Sequence, residues 1–103
     1  MGHPMKIRAS AKEGVTEIKV LMNHEMETGF RKDASGAVVP AWFINEVTAK
    51  LNDKVVMQAQ WGPSVSKNPY LAIKVKGGKA GDKVQIAWTD SKGDTRADEA
   101  IVT

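Results

Sequence analysis

The chain has 103 residues, 42% hydrophobic and 26% charged, a balance that excludes a disordered chain and suits one domain around one core. No apolar run approaches the roughly 18–20 residues that cross a bilayer as a helix, which argues against a membrane span. Fifteen Lys and Arg against 12 Asp and Glu leave a net charge of only +3, and the signs alternate along the chain, which reads as a solvated surface and not as a nucleic-acid footprint. The opening Met1-Gly2-His3-Pro4-Met5 carries no apolar leader, twin arginine or cleavage site, so no signal peptide of its own is expected and residues 1–5 are expected to fray.

From Lys6 the period of the apolar residues is two. Residues 6–11 alternate polar and apolar up to a turn at Glu13-Gly14, and residues 16–24 set Ile18, Val20 and Met22 against Glu17 and Lys19. Residues 41–51 fit two patterns. Phe43, Val47 and Leu51 share a helix face, and Phe43, Val47, Ala49 and Leu51 also share a strand face; the β-branched and aromatic content favours strand. With Phe43 and Val47 inside, period two turns Trp42 and Ile44 outward, where either a neighbouring loop near Pro63 or a protein partner must cover them. Val55, Met57, Ala59 and Trp61 share one face of the next run; Leu71, Ile73 and Val75 of another; Val84, Ile86 and Trp88 of a third. Residues 95–102 form a last, weaker run with polar residues on both faces. Turn residues separate the runs: Asp33-Ala34-Ser35-Gly36, Asn52-Asp53, Gly77-Gly78 with Gly81-Asp82, and Ser91-Lys92-Gly93-Asp94. About seven strands at intervals of roughly 8–12 residues predict one all-β domain, an antiparallel sandwich or barrel.

Residues fit for chemistry are few. The chain has no cysteine, which excludes disulfides, thiolate metal sites and cysteine nucleophiles within it. His24, near Glu25 and Glu27, is a weak metal set and reads better as a hydrogen-bond partner that orients its loop; no hydrolytic triad surrounds it. The string Gly77-Gly78-Lys79-Ala80-Gly81-Asp82 lacks the Lys-Ser/Thr ending and following helix of a phosphate loop, so a hairpin turn is expected. Arg31 and Lys32 offer either a solvated loop or an anion-facing edge. These readings point to a binding or scaffold domain with no cofactor and no metal.

Four strings resemble the SoxZ family of sulfur-oxidation carrier subunits. They are the run from Gly14 through Met22 and His24 to Asp33, Pro40-Ala41-Trp42-Phe43-Ile44, the run from Gln60 to Tyr70, and the run from Lys76 to Asp82 followed by Trp88-Thr89-Asp90. Glu25 departs from the proline that the family leads one to expect after the histidine. The resemblance implies an immunoglobulin-like sandwich that pairs with a related subunit, SoxY, whose C-terminal arm carries sulfur intermediates on a cysteine. It also implies a non-catalytic role, transient contacts with other sulfur-oxidation enzymes, and a periplasmic location reached by export with the partner. A chain without thiols then makes sense, because it offers no competing site for persulfide exchange. On this basis Trp42 and Ile44 are the candidate partner anchors, and Arg31 and Lys32 the candidates to face anionic cargo; the lone chain could use the Trp42 face to self-associate.

Overall fold

The computed structural model describes residues 2–103, and among them seven strands and no helix are formed. They are β1 (Lys6–Lys12), β2 (Val15–Leu21), β3 (Ile44–Leu51), β4 (Lys54–Gln60), β5 (Tyr70–Lys76), β6 (Lys83–Asp90) and β7 (Thr95–Ile101). All pairings are antiparallel, in two sheets ordered β1-β2-β5 and β4-β3-β6-β7. The chain changes sheet after β2, β4 and β5, so this is an immunoglobulin-like Greek-key sandwich whose fourth strand lies beside the third. Ile18 and Val20 of one sheet and Val47, Ala49, Val84 and Ile86 of the other are fully buried, as period two requires of facing sheets.

Two hairpins turn on residues with positive φ. Glu13 and Gly14 (53° and 77°) join β1 to β2, and Asn52 and Asp53 (50° and 66°) join β3 to β4. Two successive left-handed residues match the twist of the flanking strands. The loop from Gly77 to Asp82 is not the hairpin expected from sequence, because it carries the chain from β5 in one sheet to β6 in the other. Gly78 (φ 84°) sits so close to Thr16 that a Cβ there would collide with the hydroxyl, which itself donates to the Gly77 carbonyl at 2.7 Å.

Two β-bulges overturn the simple parity of the sequence reading. The register of β3 against β6 shifts between Ile44 and Glu46, leaving Asn45 and Glu46 both exposed. Ile44 therefore turns inward with no exposed surface, although period two placed it outside with Trp42. The second bulge, opposite Ala49 and Lys50, leaves Val55 46% exposed and packs Val56 against the core instead. At the other end, Met5 is buried and its N–H donates to Asp98, so the chain is already tied down at a position expected to fray; Met1 lies outside the described residues. Of the half-buried residues of β7 only Ala100 is apolar; the other two, Arg96 and Asp98, pair with each other at 2.6 Å.

Between β2 and β3 a narrow arm leaves the sandwich, closed by the bridges Glu27–Trp42 and Lys32–Val38. Every residue from position 30 to position 38 is exposed. The molecule measures 53 × 20 × 20 Å, and its radius of gyration of 15.4 Å exceeds the ~13 Å of a compact domain this long.

Candidate functional site

At the base of this arm, side chains from three separate stretches of the sequence converge. The His24 imidazole is almost fully buried, and its Nε2 lies 3.0 Å from an Asp90 carboxylate oxygen. The Met26 N–H donates to Nδ1 at 3.0 Å, which assigns the proton to Nε2 and makes the ring a donor to Asp90. The Trp42 indole N–H donates to the same Asp90 oxygen at 2.7 Å, and the N–H groups of Lys92 and Asp94 donate to the other at 2.9 Å each. Four donors thus occupy a carboxylate with no exposed surface, the condition under which a buried charge is tolerated. The Trp42 and Trp88 rings both meet the imidazole edge-on at 5.1 Å, and the Lys92 ammonium lies 4.1 Å above the Trp42 ring.

The backbone is shaped around this ring. Met26 adopts a left-handed conformation (φ 50°), held by its bond to Nδ1, and its sulfur receives the Ile44 N–H. Asn68 (φ 52°) grips His24 from the other side: its side-chain oxygen accepts the His24 N–H, and its own N–H donates to the His24 carbonyl. The loop from Gly62 to Pro69 is thereby fastened to the arm. A cavity of about 220 Å³ lies beside the cluster, lined by Gly2, His3, His24, Trp42, Trp88 and Asp94 among others. Among the described residues, the Trp88 indole N–H has no hydrogen-bond partner.

Chemically, the His24–Asp90 pair has the form of a base and its orienting carboxylate, but both ring nitrogens are engaged and the ring is closed off from solvent. It braces the arm. The hydrogen-bond role expected for His24 matches this geometry, and the two nearby carboxylates are committed elsewhere: Glu25 to Lys67 at 3.3 Å and Glu27 to Arg31 at 2.9 Å. Asp90 and Trp88 went unrecognised as partners of His24. A signal existed, because period two along Val84, Ile86 and Trp88 also turns Asp90 inward, and an inward aspartate demands donors.

Burial pushes the Asp90 carboxyl up, but the hydrogen bonds from His24, Trp42 and Lys92 outweigh it and hold the group below the ordinary aspartate value. The Arg96 hydrogen bond lowers Asp98 likewise. A carboxyl whose folded value lies below its unfolded value of about 3.9 favours the fold above that pH and loses this contribution as the pH falls through the folded value. These two carboxylates are therefore expected to contribute fully to the melting temperature down to about pH 5 and to lose that contribution below about pH 4. A melting curve unchanged down to pH values well below 3 would contradict it.

The other sequence candidates lie apart from the cluster or change role. Arg31 and Lys32 sit exposed on the arm, with the Arg31 guanidinium turned back in a two-pronged bond to Glu27. Trp42 is half-buried, its indole held by Asp90 at the end of β6 and by Lys92 of the loop that follows. Ile44 belongs to the core.

A comparison with curated proteins gives no match. A model of the family described as "Sulphur oxidation protein SoxZ" matches residues 5–101, which include every strand and the whole His24 cluster. The chain belongs to the SoxZ family and is a subunit of a sulfur-oxidation system that associates with other components of that system.

Proposed function

We propose that this chain is the non-catalytic scaffold half of a sulfur carrier complex in thiosulfate oxidation, pairing with a SoxY subunit whose arm cysteine carries the sulfur intermediates. One observation carries the reading: these 103 residues of a sulfur-oxidation chain contain no cysteine, so any thiol-bound cargo must reside outside them. The closed His24–Asp90 network supports it, since its hydrogen bonds hold an arm in place and leave no free base. On this reading the pair works in the periplasm, exported together on the partner's signal. Trp42, at the root of the arm, is the remaining interface candidate. Arg31 and Lys32 meet the anionic cargo, with Lys32 the freer of the two because Arg31 is engaged with Glu27.

The test is mass spectrometry of the chain mixed with its partner after loading with tetrathionate, which transfers a thiosulfonate group to a thiolate and releases thiosulfate. Sulfur adducts are expected on the partner alone, and they should vanish when the partner's terminal cysteine is replaced by serine. Adduct mass on the present chain would overturn the proposal.

A further inference from the structure

The sign alternation that looked like even solvation in sequence is sorted by the fold. In β1, Lys6, Arg8 and Lys12 are exposed; in β2, Lys19; in β5, Lys74 and Lys76. All six project from the outer face of one three-stranded sheet, while Ile7, Ala9, Ile18, Val20, Ile73 and Val75 point inward. Glu17 is the single acid on that face, already paired with Lys19 at 3.4 Å. Six cations against one anion is a larger excess than the whole chain's net +3, so the remainder of the molecule is net acidic. Among the described residues, Lys6, Arg8, Lys12, Lys74 and Lys76 make no ion pair.

The arrangement works against the lone domain. Arg8 stands directly opposite Lys19 in the β1–β2 register, and like charges facing across a ladder are destabilising. An anionic partner would relieve that repulsion. At one end of the face, Leu21 and Tyr70 are directly opposite each other and 42% and 61% exposed, an apolar anchor beside the charges. Three strands of seven residues span about 14 × 24 Å, or roughly 300 Å² in projection, well under the ~800 Å² per partner of a standard stable interface. Charge steering with a small contact area suits a transient encounter.

We propose that the outer face of the β1-β2-β5 sheet docks an acidic surface of a second protein in a brief, salt-sensitive contact. The chemistry disfavours a nucleic acid: five of the six cations are lysines, without the planar fork of arginine, and Tyr70 is the only aromatic on the face, too few for base stacking. It disfavours a lipid surface too, since Leu21 and Tyr70 form one small cluster at one end of the face. The inference stands independently of the carrier reading.

The test titrates the isotope-labelled chain, followed by amide NMR near physiological salt (about 0.15 M), with poly-L-glutamate standing in for the acidic surface. Oligothymidylate and phosphatidylserine vesicles are titrated in parallel. Poly-L-glutamate is expected to shift amides of β1, β2 and β5, and the effect should fade as salt rises. Lys74→Glu with Lys76→Glu should weaken binding about tenfold or more, and Lys74→Gln with Lys76→Gln by an intermediate amount, with melting curves confirming that each variant folds. Lys50→Glu with Lys54→Glu, on the other sheet, should weaken it far less. Tighter binding of oligothymidylate or vesicles, shifts centred on the other sheet, or equal losses from both pairs of reversals would each overturn the proposal.

Discussion

Replacing Asp90 with alanine is expected to lower the stability of this chain by about 3–5 kcal/mol, the range for removing one partner from a buried charged network. The size follows from what the carboxylate receives: the His24 Nε2–H, the Trp42 indole N–H and the backbone N–H groups of Lys92 and Asp94. Alanine supplies no acceptor, and each stranded buried donor costs about 1–3 kcal/mol, less what relaxation and water recover. For a domain near 100 residues, 1 kcal/mol moves the melting temperature by about 4–8 °C, so a fall of about 12 °C or more is expected against a total stability of about 5–15 kcal/mol. Trp42→Phe keeps a ring against His24 and deletes one donor, so it should cost a fraction of this. A loss under about 1 kcal/mol for Asp90→Ala, read by chemical denaturation, would mean the network does not brace the fold.

Ile44→Ala is the second large effect, expected at about 2–5 kcal/mol in the isolated chain. Ile44 has no exposed surface, so truncation removes buried methyl and methylene groups and leaves a cavity beside Val47 and Met26 in the core. Phe30→Ala provides the contrast. Its ring is 87% exposed on the arm, and its removal should change stability by less than about 0.5 kcal/mol. A similarly small change for Ile44→Ala would return the residue to the surface and make it an interface anchor after all.

Strand faces and turns were legible because they obey local rules. Ile18 and Val20, Leu71 through Val75, and Val84 through Trp88 keep strict alternation, and the structure sets each on the inward face. The Asn52-Asp53 turn was legible because those residue types tolerate the positive φ that a two-residue hairpin demands. Alternation failed where a bulge added a residue, and nothing local announces a bulge. Reading parity back from Val47 therefore set Ile44 on the wrong face.

By itself, then, the sequence determined an all-β sandwich of seven strands, the inward residues of its regular strands, and a chain without a thiol in a sulfur-oxidation family. Only the tertiary structure decided what meets His24, because Asp90 lies 66 positions away and reaches it through strand pairing and a Greek-key connection. It also decided where the charge goes. Lysines spaced evenly enough to look neutral along the chain come from three strands, and their pairing order, which period two does not encode, gathers them on one face.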